Sequence, residues 1–198
     1  MNSNWEEPSV ATVKEQIYKH MESEREEEWK HWNSWMPAKI NYFIWRVGIE
    51  RIPVKTELRK RGIGLDDYLC PRCRSEEKTV NHVISECVES VIVWRQIIDW
   101  LKLPSVADTS SCEKALTYAD GLKGSILWRK TVKMEMQATM WHLWKARNGK
   151  EFKGIARTGE SIVEEIKADT FLWLKSRSKV KDIVWERWED FNIRDIIK

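Results

Sequence analysis

The sequence predicts a mainly α-helical protein: a small CCHC zinc-binding lobe embedded in a helical domain, followed by a C-terminal helical region. Three observations carry this. Apolar residues recur at intervals of three and four along most of the chain, while period-two alternation of β-branched residues is scarce. Thirteen tryptophans and only eight glycines in 198 residues favour helices packed through large aromatic side chains. Among these helical stretches, Cys70, Cys73, His82 and Cys87 stand at metal-ligand spacing.

Residues 1–8 read as a disordered tail. Ser9 can cap a helix through His20 with Val10, Val13, Ile17 and Met21 as its stripe. Residues 21–28 hold five glutamates and one arginine, a solvated face or loop. Trp29, Trp32 and Trp35 follow at three-residue spacing, which would stack them on one face as core. Pro37 suits the first turn of the next helix. There Ile40, Phe43, Ile44 and Val47 form one strip and Tyr42, Trp45 and Ile49 a second, so burial on most sides is expected. Pro53 opens a short helix, Val54 to Arg61, stopped by Gly62. Lys55, Arg59, Lys60 and Arg61 are expected on its exposed face, and Asp66 and Asp67 in the loop that leads to the cysteines.

Two thiols, an imidazole and a third thiol form a Cys3His set, which fills all four positions of a tetrahedral Zn2+ site. A closed site of this kind holds structure together and leaves no vertex for chemistry. Pro71 stiffens the first loop, and Arg72 and Arg74 place positive charge beside the thiols, which lowers thiol pKa. In an unbroken α-helix, residues five apart diverge by about 140° at roughly 100° per residue. His82 and Cys87 therefore cannot share an ion from a straight helix. The spacing predicts a break between Ser85 and Cys87 and a new helix from about Val88. Ordinary core cysteines, or a Cys70–Cys73 disulfide, remain alternative readings; Cys112 is an unrelated thiol.

The next helix carries Val88, Val91, Trp94, Ile98 and Leu101 and ends before Pro104. Residues 104–111 are a serine- and proline-containing connector, the candidate boundary between a domain at 9–103 and a helical region at 104–198. A short helix, Ser111 to Ala119, ends at Gly121. The longest helix runs from Ser125 to Arg147, with Trp128, Val132, Met136, Met140 and Trp144 on one strip and Leu127, Met134, Ala138 and Trp141 on another; Gly149 stops it. After a turn at 154–159 comes a helix from Glu160 to Ser176 bearing Ile162, Val163, Ile166, Thr170 and Trp173. A last helix, Val180 to Phe191, bears Trp185 and Trp188. His20, His31 and His142 are expected to be partly exposed.

Composition narrows the function. A net charge of +3 is too small for a strongly basic nucleic-acid binder. No apolar run approaches membrane-spanning length. The polar, acidic start, Met1 to Glu7, does not read as a secretory signal, and thiols at metal spacing point to a reducing compartment, nuclear or cytoplasmic. Tyr118-Ala119-Asp120-Gly121 lacks the second aspartate that two-metal polymerisation needs, and reads as a helix terminus. Lys123-Gly124-Ser125 lacks the glycine-rich lead of a phosphate loop. No catalytic set is apparent, so the chain is expected not to be an enzyme.

At this point a family pattern is visible. Trp32-Asn33-Ser34-Trp35-Met36-Pro37-Ala38-Lys39-Ile40, Phe43-Ile44-Trp45-Arg46, Arg51-Ile52-Pro53-Val54-Lys55-Thr56 with Leu58, Arg61-Gly62-Ile63, the four metal residues and Val93-Trp94 together resemble the reverse-transcriptase zinc-binding domain (zf-RVT) of plant LINE-type non-LTR retrotransposon proteins. The family has a Glu-Thr pair before its histidine; here Lys78 separates Glu77 from Thr79. The resemblance covers about 9–103, and Trp141–Asn148, Phe152 and Phe171–Arg177 resemble the tail that follows such domains. It implies a zinc-binding module that assists a polymerase in handling RNA or DNA. The charges agree: Arg51 to Arg74 contains seven basic and three acidic residues, a local +4. Lys55, Arg59, Lys60, Arg61, Arg72 and Arg74 are the candidate nucleic-acid contacts. The alternative is a retroelement remnant that docks other retroelement proteins through its tryptophan-rich helices, with no membrane or small-molecule partner.

Overall fold

The computed structural model describes residues 31–65, 67–104, 107–180 and 182–193. The chain falls into two units, Met1–Trp32 and Asn33–Lys198. The expectations for residues 1–8, the Ser9–His20 helix, the glutamate run, His20, Trp29 and Asp66 lie outside the described residues.

The second unit is helical, as the periodicity predicts. In chain order it contains α1 (Ala38–Gly48), α2 (Lys55–Lys60), a π-helical turn (His82–Glu86), α3 (Val88–Trp100), α4 (Cys112–Tyr118), a 3-10 turn (Ala119–Gly121), α5 (Ile126–Lys153), α6 (Gly159–Arg177) and α7 (Trp185–Glu189). The extended pairing among the described residues is an isolated antiparallel bridge, Leu69 with Glu77. A single apolar cluster runs from Trp35 to Ile193 and includes residues on both sides of the 104–111 connector.

Local chemistry sets the helix ends. Ser111, Ser125 and Thr158 cap α4, α5 and α6, each side-chain oxygen accepting from the backbone N–H three residues on. α5 runs six residues beyond the expected Arg147. Gly149 is no barrier, because a helical glycine costs only about 1 kcal/mol. Gly154, at φ +67, ends the helix in the left-handed conformation that glycine adopts without strain. At the start of α6, a Cβ on Gly159 would sit 3.1 Å from Ile92 Cγ2, so glycine lets α6 approach α3 closely.

Several faces differ from the expected ones. Residues 34–36 form a turn, so Trp35 enters the core outside any helix. On α1 the strip Ile40, Phe43, Ile44 and Val47 is buried, but Tyr42 is 56% exposed and Trp45 only half-buried. Burial is therefore one-sided. α3 buries Ser90, Val93, Trp94, Ile97 and Ile98, while Val88 stands exposed in its first turn. On α6 Leu174 is buried where Trp173 was expected, and Trp173 is half-buried. The last helix shrinks to Trp185–Glu189. It is anchored by aromatic packing: Trp188 lies 5.5 Å from Trp100 and 5.8 Å from Phe191 between ring centroids. The Trp188 indole N–H donates to the Lys167 carbonyl at 2.8 Å, and that of Trp100 to the Glu189 carbonyl at 2.7 Å.

Two buried polar groups on α5 were not expected. Glu135 is fully buried, and desolvation raises its carboxyl well above the usual range, so it sits neutral in the core. His142 is 2% exposed, contrary to the partly exposed placement read from sequence. Its ring faces Asp169 at 3.1 Å and Glu165 at 3.5 Å on α6. Burial foremost, aided by Lys145, outweighs those two carboxylates and pulls the imidazole down to about 4. The unfolded chain protonates this histidine near pH 6.5, the folded chain near 4, so stability is full above 6.5 and falls as pH drops towards 4. The loss reaches about 3 kcal/mol at about 1.4 kcal/mol per pKa unit. Urea melts of wild type and His142→Gln between pH 7 and pH 4 should show the wild type losing that much more.

Candidate metal centre

The site forms where a hairpin meets the π-helical turn. Cys70 and Cys73 lie on the hairpin. The Cys70 N–H donates to the Glu76 carbonyl at 2.8 Å, the Arg74 N–H to the Cys70 carbonyl at 2.8 Å, and the Lys78 N–H to the Tyr68 carbonyl at 2.9 Å. Arg74 takes φ +57 to close the turn. Little here is apolar: residues 74–77 are all exposed. The hairpin is held by its backbone bonds and by what its two sulfurs reach.

His82 and Cys87 come from the other side. The expected break is present, with Cys87 leaving the helix at φ −56, ψ 133 and capping α3. The segment before it is π-helical rather than α-helical. The Cys87 N–H donates to the His82 carbonyl at 2.8 Å, an i to i+5 bond. That bond brings together two residues which an α-helix would aim apart. Widening the turn frees carbonyls, and α3 supplies their donors. Ser90 Oγ donates to the Val83 carbonyl at 2.7 Å and the Trp94 indole to the Ile84 carbonyl at 2.8 Å. The sequence marked Trp94 as core, but its role as a donor, and that of Ser90, arise only from the break.

The four ligand atoms lie within 4.8 Å of one another. Cys70 Sγ is 4.0 Å from Cys87 Sγ, and Cys73 Sγ is 3.3 Å from His82 Nε2. A tetrahedral zinc site with bonds of roughly 2.0–2.3 Å has edges of about 3.5–3.8 Å, so the set closes on one ion with small shifts. Cys70, Cys73 and Cys87 are free thiols, which removes the disulfide alternative. Cys70 accepts from the Cys87 thiol and is pushed down to about 4, while the same contact pushes Cys87 up. Cys112 is buried away from the set, and desolvation raises it to about 12. It is the unrelated free thiol expected from its spacing.

Residues 12–94 match the family model described as zinc-binding in reverse transcriptase. This segment is similar to a reverse-transcriptase zinc-binding domain. The match spans a little under half of the chain, from 12 to 94, and is to a zinc-binding domain rather than a polymerase domain. No curated protein and no solved structure matches the chain. Donor set, geometry and family agree on one structural Zn2+ held by Cys70, Cys73, His82 and Cys87. Bound there, zinc supplies a cross-link between the hairpin and the π-helical turn.

Within this zinc-binding domain the basic residues separate into two groups. Arg59, Lys60, Arg61 and Arg74 are exposed. Lys55 and Arg72 are not on the surface that the sequence assigned to them. Lys55 is directed at Asp67 (3.5 Å) and Glu151 (3.3 Å), with 15% of its side chain exposed. The Arg72 side chain is 6% exposed, donates to Ser90 Oγ at 3.0 Å and lies 4.0 Å from Glu89. Its burial has an electrostatic reason. Three thiolates around a dication leave one net negative charge, and Arg72 is the buried cation that offsets it. Lys78, the departure from the family pattern, is completely buried and paired with Glu151 at 2.6 Å. Desolvation lowers it to about 8 despite that partner. With Thr56 Oγ donating to the Lys78 carbonyl at 2.9 Å, it ties hairpin, α2 and α5 together.

Native mass spectrometry should find one zinc per chain, and none bound to Cys73→Ser or His82→Ala. Chelation should remove amide-exchange protection across 62–90 while α5 and α6 keep theirs. Arg72→Leu should lower zinc affinity roughly 10- to 100-fold in competition with a chromophoric chelator, the range for residues just outside a ligand sphere. Arg74→Ala should leave it within a factor of about 2, because an exposed charge is screened.

Proposed function

We propose that the chain is a non-catalytic module in which zinc rigidifies a basic surface that binds RNA or DNA, in support of a reverse transcriptase. One observation carries this reading: the zinc hairpin and α2 are locked into one piece. The Thr56 bond to Lys78 joins them inside, and outside Arg59 pairs with Glu77 at 3.3 Å and lies 4.6 Å over the Tyr68 ring. The exposed cations Arg59, Lys60, Arg61 and Arg74 are thereby carried on one joined piece. The Arg59–Glu77 and Lys60–Glu57 pairs are surface pairs of about 0–1 kcal/mol, weak enough for a phosphate to displace. Lys55 and Arg72 drop out of the interface, since both are committed to internal carboxylates or to the metal centre.

Asp120 gives no support to a polymerase reading: it stands in the 3-10 turn after α4 and pairs with Lys133 at 2.6 Å. Docking of a retroelement protein through the tryptophan-rich helices has less support than nucleic-acid binding, because Trp35, Trp94, Trp144 and Trp188 are buried in this chain's own core. Among the described residues no helix is long and apolar enough to cross a membrane. Buried free thiols suit the reducing cytosol or nucleus as the place of action.

Fluorescence anisotropy of the zinc-loaded chain with single-stranded RNA and DNA over a salt series tests this function. Binding should weaken linearly in log–log form as salt rises. Replacing Arg59, Lys60, Arg61 and Arg74 together by alanine should flatten the slope by about 3, at roughly 0.7 per single-strand phosphate contact. Absence of binding at low salt by the folded, zinc-loaded chain would overturn the proposal.

A further inference from the structure

The exposed side of α1 continues into the loop after it and meets the end of α2. Tyr42, Trp45, Arg46, Ile49, Arg51 and Arg61 there line an open groove of about 520 Å³. Its composition is unusual for a surface that merely meets water: two aromatic rings, one isoleucine and three arginines, with no acidic side chain in the lining. Tyr42 is 56% exposed. Tyr42 and Trp45 stand 5.1 Å apart between ring centroids with their planes 40° apart, a wedge of two faces rather than a closed stack.

The arginines are placed differently from those on the zinc hairpin. Arg46 donates through both Nε and Nη2 to the Arg51 carbonyl, so its guanidinium is fixed against the groove wall. Arg51 and Arg61 are exposed and form no ion pair among the described residues. Glu50, between α1 and Arg51, takes φ +53, and the chain reverses there. This reversal puts Arg51 beside α1 rather than beyond it. An open groove with cations and an exposed ring recognises an occupant that is both flat and anionic. Apolar peptides do not need three arginines, and a free phosphate does not need two rings. Double-stranded nucleic acid presents phosphates but keeps its base faces stacked. An unpaired nucleotide presents both.

We infer that this groove is a base-stacking subsite for single-stranded nucleic acid: one unpaired base rests on Tyr42, with Trp45 and Ile49 as the apolar floor, and Arg51 and Arg61 contact the flanking phosphates. The inference rests on the nucleic-acid reading above and extends it with a second contact region that shares only Arg61 with the basic surface. It also gives the surface a preference that phosphate contacts alone do not have, for unpaired over paired strands.

The test uses the full zinc-loaded chain and a fluorescently labelled single-stranded RNA, its fully paired duplex, and a strand of equal length whose central nucleotides are abasic. Tyr42→Ala should weaken binding to the single strand by about 5- to 150-fold, the range for losing one base–aromatic stack. It should leave the duplex and the abasic strand within a factor of about 2. Arg51→Ala with Arg61→Ala should flatten the single-strand salt slope by about 1.4, two contacts at roughly 0.7 each. Far-ultraviolet circular dichroism and zinc content identical to wild type confirm that the variants are folded; Tyr42→Phe, which keeps the ring, should bind as wild type does. If wild type binds the single strand and Tyr42→Ala binds it equally well, the groove assignment is overturned while the basic surface stands. Equal losses on the abasic strand overturn the stacking role. If wild type binds none of the three at low salt, the broader nucleic-acid reading falls, and the groove assignment with it.

Discussion

The fold of the zinc-binding domain depends on one i to i+5 hydrogen bond. Ligands at His82 and Cys87 are separated by a spacing that suits neither an α-helix nor a strand. In an α-helix the imidazole and the sulfur diverge; in a strand they lie about 17 Å apart at roughly 3.3–3.4 Å per residue. A π-helical turn sealed by the Cys87 N–H on the His82 carbonyl brings the imidazole within 3.3 Å of Cys73 Sγ and Cys87 Sγ within 4.0 Å of that of Cys70. The wide turn has poorer internal hydrogen bonding, and α3 meets the cost with the Ser90 hydroxyl and the Trp94 indole. The metal centre is therefore not appended to the helical core: its geometry passes directly into α3, whose buried face is Val93, Trp94, Ile97 and Ile98.

The hairpin shows why an ion is needed. Residues 74–77 carry no apolar side chain that could drive the segment inward. Backbone bonds alone give a two-stranded ribbon little independent stability in water. What holds it are two sulfurs at one end and Lys78 at the other. The lysine enters the interior, loses hydration, and is compensated by Glu151 on α5. A buried pair of this kind adds little net stability, but it fixes register, because an unpaired lysine in that position is strongly unfavourable. Zinc thus anchors the tip of the hairpin and Lys78–Glu151 its base. The exposed cations of α2 and Arg74 inherit a defined arrangement from both.

Much of this was legible from residue spacing. Cys70, Cys73, His82 and Cys87 identified the ligand set, and the five-residue interval required a break before α3. Ser111, Ser125 and Thr158 are cap residues of an ordinary type, so helix starts were readable to within a residue or two. The places where periodicity misled share a cause. His142 is a polar residue that α5 buries because partners arrive from α6, more than twenty residues away in sequence. Lys55 and Arg72 looked like solvated cations until Glu151 and the thiol cluster were placed beside them. At these positions a long-range neighbour decides the outcome, and a one-dimensional pattern does not contain it. Gly149 read as a stop, but a helical glycine costs only about 1 kcal/mol and α5 continues to Gly154.

Tyr42 is the converse case. Its spacing relative to Trp45 and Ile49 suggested a second buried strip on α1. The chain instead turns away at Glu50 and sets arginines opposite the ring. An exposed tyrosine costs hydrophobic burial of roughly 1.5–3 kcal/mol, and a cluster of like charges adds repulsion. The other face of α1 packs in the ordinary way through Ile40, Phe43, Ile44 and Val47. On the open side two flat rings stand beside three arginines with no carboxylate in the lining, a chemistry complementary to the unpaired nucleotide proposed for this groove.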